Sequence, residues 1–448
     1  MDRVVAVGNN RKHLGVMAAY IGHRPDILEF VGALRVHFDV SIYVLRSDAE
    51  RYASLLSGYT LEVIDLPGQR TVRNKAANRL FDLIGKIPGS EYNYYMTKWT
   101  TTFSASYSIA ERDKLQGRIE LAKKLPKVLA YDRYLSMLDT SSVSTSGLDA
   151  FLSFTPVYNQ VTWAAMLHAP IPCLQYVYSW DHACKFKDFS KRVDAYLTWD
   201  TDIADDLDKL QALEQVPKAV VGSTQFTFVR KSLDSDYTCD LPVDGPYVYF
   251  GCATGYPLLA DSEVRQVEAI AHLLASELPG VTLVVRTYPF LEATDTYDGL
   301  MELPNVVLDR LQDYETIAAT YEEATSRKLY VTQQAVAFAH FGTTLGVEAA
   351  LLGVPSILCD FGEATVGKPL HDFVHQYQND KYLNRPGTPS TAASARELVA
   401  HLHRAMGGGD GFPVNAETVD RHRLRRMDEI ASDVAAVVSE HITRPART

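Results

Sequence analysis

Strand-like segments alternate with helix-like segments along almost all of this 448-residue chain. The strand-like segments are short, rich in β-branched and aromatic residues, and without strict polar alternation, which is typical of strands buried on both faces. Strands that alternate with helices form parallel sheets with helices on both faces. The sequence therefore predicts the α/β class. The predicted strands are residues 4–7, 40–45, 61–64, 150–154, 173–178, 195–199, 219–221, 247–250, 282–286, 305–308, 335–339 and 356–359.

A turn-rich segment at residues 230–245 interrupts this alternation with Asp-Ser-Asp, a proline and the start of Asp-Gly-Pro. The length of the chain favours two domains of ordinary size. We predict an N-terminal α/β domain at residues 1–230 and a C-terminal α/β domain at residues 245–415. Residues 70–145 have a helical pattern and predict a helical insertion in the first domain. A last helix is predicted within residues 416–448, and we expect it to pack back towards the N-terminal domain.

Charge and hydropathy exclude several classes of function. The net charge of −11 argues against a nucleic-acid-binding protein and against strong adhesion to an anionic membrane. No apolar run reaches the length of roughly 20 residues that a membrane span needs. The five cysteines lack metal or redox spacing and are expected to be reduced thiols. We therefore expect a cytoplasmic protein with at most peripheral contact with the inner face of the cell membrane.

Residues 340–358 form the most informative segment. A buried strand at 335–339 leads into a tight turn, a helix at 345–352, a Gly-Val-Pro stop and a second strand at 356–359. The helix therefore begins directly after a strand of the predicted parallel sheet. The N-terminus of a helix offers free N–H groups and a partial positive charge, which suit phosphate oxygens.

The side chains of this turn have the chemistry of a nucleotide site. His340, Gly342, Thr343 and Thr344 precede the helix, and Glu348 follows about one helical turn later. A carboxylate does not favour a phosphate, but it can accept hydrogen bonds from a neighbouring ribose. Phosphate and ribose contacts at this spacing predict a bound nucleotide.

This segment resembles the donor-nucleotide signature of inverting glycosyltransferases of the GT-B class, which have two facing Rossmann-like domains. The resemblance implies that His340, the hydroxyl groups and the helix N–H groups contact the diphosphate, and that Glu348 contacts the ribose. Retaining members of the fold usually carry a glutamate where this chain has His340, which favours inversion. The alternative is an ordinary strand–turn–helix in which His340 only caps the helix.

A second resemblance covers residues 179–228. Ser-Trp-Asp-His ending at His182, a strand ending in Trp-Asp at Asp200, and Gly-Ser-Thr-Gln-Phe ending at Phe226 are similar to bacterial surface-polysaccharide glycosyltransferases. Their usual aspartate after that phenylalanine is Thr227 here. The resemblance implies a role in the assembly of a surface glycan or glycolipid.

Three further residues are predicted donor contacts. Arg286 ends a strong strand, and in relatives this position often lies near phosphate, so Arg286 can supply a charge-assisted contact to the diphosphate. The alternative is that it pairs with a carboxylate at a domain edge. Asp360 and Glu363 follow the strand at 356–359, where they are placed to contact hydroxyl groups of the donor sugar.

Catalysis by inversion needs a general base to remove the proton of the acceptor hydroxyl. His13 is the first candidate, because residues 8–15 are predicted to form the loop after the first strand, at the crevice of the sheet. Asp181, at the end of another strand, is the rival. The Asp200-Thr-Asp202 sequence matches a metal-binding pattern but starts a polar helix, so we interpret Asp200 as a helix cap. No metal site is predicted.

The predicted function is that of a metal-independent, inverting glycosyltransferase of the hexosyltransferase type. Its nucleotide-sugar donor, with a UDP-sugar favoured, is expected in the C-terminal domain, and its glycan or lipid-linked acceptor in the N-terminal domain. No cofactor is expected. The alternatives are a nucleotide-sugar 2-epimerase of the same fold, a CDP-alcohol glycerophosphotransferase, and a non-catalytic protein that binds a nucleotide sugar. The signature of the epimerases has Gly-Gly and paired glutamates at the nucleotide turn, whereas this chain has one glutamate and two threonines.

Overall fold

The computed structural model describes residues 11–19, 21, 24–84, 131–180, 182–185, 188–252, 257–287, 294–310, 314–367, 370–371, 374, 390–407 and 424–444. These residues belong to two compact units. The first unit contains the described residues of 11–84, 131–224 and 426–444, and the second contains those of 225–425.

The first unit is built on a seven-stranded parallel sheet in the order β3-β2-β1-β4-β5-β6-β7. Its strands are β1 (His13–Met17), β2 (Asp39–Leu45), β3 (Thr60–Ile64), β4 (Ala150–Phe154), β5 (Cys173–Tyr176), β6 (Ala195–Thr198) and β7 (Lys218–Val220). Its first helices are α1 (Pro25–Leu34), α2 (Arg46–Arg51), α3 (Leu66–Gln69), α4 (Val72–Ile84), α5 (Tyr131–Met137), α6 (Gln160–His168), α7 (His182–Lys185) and α8 (Thr201–Gln211).

The first strand differs from the prediction, because β1 begins at His13 and pairs with Asp39 of β2. Residues 8–15 were predicted to be a loop, and the predicted strand at residues 4–7 lies outside the described residues. Gly15 explains why the sequence pattern pointed to a loop. A Cβ atom at this position would lie 2.6 Å from the ring of Phe151 on the neighbouring strand β4. The glycine is therefore needed for close packing in the sheet rather than for a turn.

The second unit is built on a six-stranded parallel sheet in the order β10-β9-β8-β11-β12-β13. Its strands are β8 (Tyr247–Gly251), β9 (Thr282–Arg286), β10 (Val306–Asp309), β11 (Ala337–His340), β12 (Ser356–Cys359) and β13 (Thr391–Ala392). Its helices are α9 (Thr227–Leu233), α10 (Pro257–Glu277), α11 (Tyr314–Gln333), α12 (Thr344–Leu351), α13 (Glu363–Val366) and α14 (Ala395–Met406), with a 3-10 helix at Thr294–Glu302.

The last helix, α15 (Met427–Thr443), packs against α1 in the first unit. It is amphipathic: Ile430, Val434 and Val438 are spaced by four residues and are fully buried. Among the described residues, no helix is both long and apolar enough to cross a membrane.

The two faces of the second sheet have different compositions. Apolar residues such as Phe250, Val285 and Ala339 form one continuous core with α10 and α14. The opposite face carries polar side chains near the carboxyl ends of the strands, including Arg286 and His340. Both faces arise from the period-two alternation of side chains along a strand.

The predicted α/β class with two parallel sheets is confirmed. Of the predicted helical insertion at residues 70–145, the structure describes α4 and α5, and residues 85–130 lie outside the described residues. The rings of Phe81 on α4 and Tyr134 on α5 stack with centroids 4.1 Å apart. The two described ends of the insertion therefore pack on each other within the first unit.

Candidate functional site

The carboxyl edge of the second sheet brings together the predicted nucleotide residues. Strand order reverses between β8 and β11, and ligands of open α/β sheets bind in the crevice at such a reversal. Asp309, Arg286, Gly251 and His340 are in register on four adjacent strands. The side chains of Asp309, Arg286 and His340 therefore lie on the same face of the sheet, in one row across its carboxyl edge.

The turn from Gly342 to Thr344 follows β11 at this reversal. Gly342 has a φ of 105°, which favours glycine, and the structure places it between the strand and the helix. Thr343 is the N-cap of α12, with its hydroxyl accepting a 3.4 Å hydrogen bond from the N–H of Leu345. Thr343 and Thr344 are partly exposed, so the start of the helix is accessible to solvent.

His340 lies beneath this turn and is fully buried. Its Nδ1 accepts a 2.9 Å hydrogen bond from the N–H of Gly342, and its Nε2 lies 3.3 Å from the hydroxyl of Ser356. Burial lowers the pKa of His340 to about 3, so the imidazole is neutral at physiological pH. A neutral, buried imidazole has no positive charge to offer a diphosphate, and it supports the turn by accepting the N–H of Gly342. Contact of His340 with a diphosphate stays a prediction.

Glu348 is buried on α12, one turn beyond the partly exposed threonines. Its Oε1 accepts a 2.8 Å hydrogen bond from the side-chain amide of Gln225, and its Oε2 accepts a 2.6 Å bond from the ammonium of Lys328. Lys328 belongs to α11, and Gln225 lies two residues before the start of α9. The sequence identified Glu348 but neither partner, because both contacts span many residues of the chain.

Arg286 pairs with a carboxylate, which was the alternative to a phosphate contact. One guanidinium nitrogen lies 3.0 Å from Asp309 and 3.2 Å from the hydroxyl of Tyr249, and all three side chains are buried. Arg327 donates a 2.8 Å bond to the other oxygen of Asp309. The two guanidinium groups and the tyrosine hydroxyl hold the pKa of Asp309 below its usual range despite its burial. The cluster therefore has two cations for one carboxylate.

The two predicted sugar contacts lie beyond β12. Asp360 directly follows the strand and is partly exposed, and its backbone N–H donates a 2.9 Å hydrogen bond to the carbonyl of Ala392. Glu363 is exposed at the first position of the short helix α13. Both carboxylates are thus at the same sheet edge as the turn after β11, and their contact with a sugar stays a prediction.

Neither predicted catalytic residue is seen at the carboxyl edge of the first sheet. His13 starts β1 and therefore lies at the amino end of the strand, where its ring nitrogens lie 2.8 Å from Ser41 Oγ and 2.9 Å from the carbonyl of Gly147. Its predicted position at the crevice is wrong. Asp181 lies outside the described residues. Asp200 caps α8 as predicted, because its carboxylate accepts a 2.9 Å bond from the N–H of Ile203.

A polar cluster that the sequence analysis missed lies at the carboxyl edge of the first sheet. Asp26, at the start of α1, is buried and accepts hydrogen bonds from the hydroxyls of Tyr178 and Thr224 at 3.1 and 2.9 Å. The Nε of Arg24 lies 3.3 Å from the same carboxylate. The cluster links the segments that follow β1, β5 and β7. The sequence signal for this cluster is the pair Pro25-Asp26 in the first turn of α1, where proline and acidic residues are favoured.

Two titratable groups after β5 contact the segment that follows β4. His182 Nδ1 lies 2.7 Å from the hydroxyl of Thr155, which also accepts a 3.0 Å bond from the N–H of Tyr178. Asp188 accepts a bond from the N–H of Val157 through Oδ2, whereas Oδ1 has no hydrogen-bond partner in the described part of the chain. Burial raises the pKa of Asp188 to about 6.

A cavity of about 440 Å³ opens between α9 and α11 of the second unit, and its lining includes Phe228, Tyr237, Glu323 and Leu329 but none of the predicted site residues. Within the described ranges, no group of three or more His, Cys, Asp and Glu side chains is arranged to hold a metal ion.

Known structures resemble this fold at low sequence identity. No protein-family model matches the sequence, and no curated protein matches it. A protein assigned as a UDP-N-acetylglucosamine 2-epimerase from Listeria monocytogenes aligns with a TM-score of 0.52 and 10% identity over 98% of each chain. The UDP-GlcNAc 2-epimerase of Neisseria meningitidis, solved with UDP-GlcNAc bound, aligns with a TM-score of 0.51 and 11% identity over 96% of this chain and 100% of that chain.

A glycosyltransferase is also among the aligned structures. The glycotransferase of kitacinnamycin has a TM-score of 0.47 and 14% identity over 96% of this chain and 99% of that chain. At identities this low, structural likeness shows the fold alone. Two parallel-sheet Rossmann-like units of this kind define the GT-B fold, as predicted from the sequence.

Proposed function

We propose that this protein is an enzyme that acts on a nucleotide sugar, with the nucleotide held at the carboxyl edge of the second sheet. The observation that carries this proposal is the position of two groups beyond β11. The accessible start of α12, capped by Thr343, offers N–H groups to a phosphate, and the carboxylate of Glu348 lies one turn further along the same helix. This pair follows the strand-order reversal, where ligands of open α/β sheets bind.

The described cluster around Asp309 has a net positive charge. Arg286 and Arg327 share the carboxylate of Asp309, which leaves one positive charge in excess within these three side chains. Arg286 is two strands from His340 in the same register, which corresponds to about 9 to 10 Å between their backbones. Asp360 and Glu363 lie at the same edge of the sheet, so the phosphate contact in this proposal rests on the N–H groups at the start of α12.

We further propose that the reaction is transfer of the sugar, with inversion, to a hydroxyl of a glycan or lipid-linked acceptor. In this reaction the acceptor oxygen bonds to the anomeric carbon, the bond from that carbon to the diphosphate breaks, and a base takes the hydroxyl proton. Asp181 stays the candidate base, since His13 is at the opposite end of its strand. The resemblance of residues 179–228 to bacterial surface-polysaccharide glycosyltransferases supports this choice of reaction.

A nucleotide-sugar 2-epimerase is the second candidate, because structures of UDP-N-acetylglucosamine 2-epimerases align with this chain with TM-scores above 0.5. The turn at Thr343 and Thr344 argues against an epimerase, because it lacks the Gly-Gly and the paired glutamates of the epimerase signature. An epimerase changes its donor without an acceptor, whereas a transferase needs one.

The experiment is a donor-turnover assay with UDP-N-acetylglucosamine, with and without a panel of glycan and lipid-linked acceptors. Conversion that requires an acceptor supports the transferase, and conversion of the sugar without one supports the epimerase. A thermal-shift screen with UDP, GDP, CDP and CMP precedes the assay. If none of the four nucleotides raises the melting temperature at millimolar concentration, the nucleotide-sugar proposal fails.

A further inference from the structure

The carboxylate of Glu348 is held on both oxygens before any ligand is considered. Gln225 donates to Oε1 at 2.8 Å and Lys328 donates to Oε2 at 2.6 Å. These donors come from the segment before α9 and from the helix α11, and α9 packs against α11. The carboxylate is therefore fixed in direction by two contacts from outside its own helix.

Electrostatics makes the Lys328 contact the stronger of the two. The side chain of Glu348 is 4% exposed and that of Lys328 is 20% exposed, so the pair is largely removed from water. A buried carboxylate is stable as an anion only when it is paired. Lys328 therefore offsets the charge of this buried carboxylate and orients it, whereas the neutral amide of Gln225 contributes orientation alone.

The remaining hydrogen-bonding capacity of Glu348 matches a diol. An ionised carboxylate has about four lone-pair sites, two on each oxygen. One site on each oxygen is taken, which leaves one further site on Oε1 and one on Oε2 among the described contacts. A ribose offers two adjacent hydroxyl donors, the 2′-OH and the 3′-OH, and each can use one of these sites.

We propose that Lys328 and Gln225 are positioning residues that fix the Glu348 carboxylate as a receptor for both ribose hydroxyls, so that the site selects ribonucleotides over 2′-deoxyribonucleotides. The proposal rests on the nucleotide role of Glu348 stated above. Loss of one ribose hydroxyl leaves one carboxylate site without a donor in a place that water reaches poorly. A hydrogen bond to a charged group corresponds to about 10- to 100-fold in affinity.

The neighbouring residue Arg327 provides a matched control. It is on the same helix and also pairs with a carboxylate, but its partner is Asp309, at 2.8 Å. Removal of either cation breaks one partly buried ion pair between α11 and the rest of the second unit. Only removal of Lys328 changes the surroundings of Glu348.

The experiment compares the affinities of UDP and 2′-deoxy-UDP by calorimetry for the wild type, Lys328→Met, Lys328→Arg, Gln225→Ala and Arg327→Met. We expect the wild type to prefer UDP by about 10-fold or more. Lys328→Met and Gln225→Ala are expected to weaken UDP binding and to bring the preference for UDP close to unity. Lys328→Arg is expected to restore most of the preference, and Arg327→Met to leave it unchanged.

A second comparison separates a positioning role from a purely structural one. In a Glu348→Gln background, Lys328→Met should cause little further loss of UDP affinity, because it acts through the carboxylate. The inference is overturned if UDP binds but Lys328→Met and Gln225→Ala keep the wild-type preference, or if Arg327→Met reduces it equally. Should Lys328→Met fail to fold, Gln225→Ala and Lys328→Arg still decide the question. A wild type that binds neither UDP nor 2′-deoxy-UDP would instead refute the proposed nucleotide site.

Discussion

The imidazole of His340 lies directly beneath Gly346, so that a Cβ atom at position 346 would be 2.5 Å from Nε2. The same ring accepts the N–H of Gly342 through Nδ1. One buried side chain therefore supports both the turn after β11 and the first turn of α12. This arrangement gives His340 a structural reason to occupy a position where the family signature suggested a phosphate ligand.

Gly346→Ala should destabilise the second unit, since the added methyl group must displace the buried imidazole. Overpacking of this kind costs about 1 to 3 kcal/mol. Urea denaturation of the variant measures the change in the free energy of unfolding. Gly299→Ala is the control, because a Cβ atom there meets no atom within 4 Å. Equal stability of the Gly346→Ala protein and the wild type would contradict the packing of His340 under the helix.

The neutral state of His340 predicts a loss of stability in acid. Its pKa of about 3 in the folded protein is below the ordinary value of 6.5, so the unfolded chain binds an extra proton between these values. Stability is fully present above pH 6.5 and falls as the pH falls towards 3. His340→Asn, whose amide oxygen can accept the Gly342 N–H, should flatten this dependence in unfolding experiments between pH 7.5 and 5. An unchanged slope in the variant would show that the histidine is not buried as a neutral group.

Asp188 predicts the opposite pH dependence in the first unit. Burial raises its pKa from 3.8 to about 6, so the folded state retains a proton that the unfolded chain releases. Stability from this group is fully present below pH 3.8 and is lost as the pH rises through 6. Asp188→Asn should therefore increase stability at pH 7.5 by up to about 3 kcal/mol. Thermal unfolding at pH 5 and pH 7.5 tests this, and a variant less stable than the wild type at pH 7.5 would refute it.

Glu348→Ala should weaken UDP binding while the protein stays folded. Loss of a charged acceptor for the ribose corresponds to roughly 1.5 to 3 kcal/mol of binding free energy. Isothermal titration with UDP measures the loss, and circular dichroism checks the fold. Glu277→Ala, at the exposed end of α10, is the control for a change of net charge. Equal UDP affinity in the Glu348→Ala variant and the wild type would remove the ribose role.

His13→Ala should leave donor turnover within a few-fold of the wild-type rate, since the ring bonds to Ser41 and Gly147 at the amino end of β1. Removal of a true general base typically costs about 10² to 10⁴ in rate. Turnover of UDP-N-acetylglucosamine is measured for His13→Ala beside Asp181→Asn, which is expected to lose activity. A folded His13→Ala protein with a 10²-fold slower rate would restore His13 as the catalytic candidate.

The strand β1 was not predicted because a glycine required by packing made its sequence resemble a loop. Leu14, Val16 and Met17 are fully buried, but Gly15 between them is typical of a loop. The glycine is there because the ring of Phe151 occupies the space of a side chain, a contact between residues more than a hundred positions apart. Because residues 13–17 were not predicted as a strand, the catalytic loop was predicted in the wrong place. The segment that does follow β1 contains Asp26, so the cluster around this residue was missed.

The sequence by itself determined the alternation of strands and helices, the parallel sheets, the turn from Gly342 to Thr344 and the place of Glu348 one turn beyond it. These features depend on local periodicity and capping, which neighbouring residues encode. Only the tertiary structure decided that His340 is buried and neutral, that Arg286 pairs with Asp309, and that Lys328 and Gln225 hold Glu348. Burial and charge pairing depend on residues brought together from distant parts of the chain, and these set the protonation and direction of each site residue.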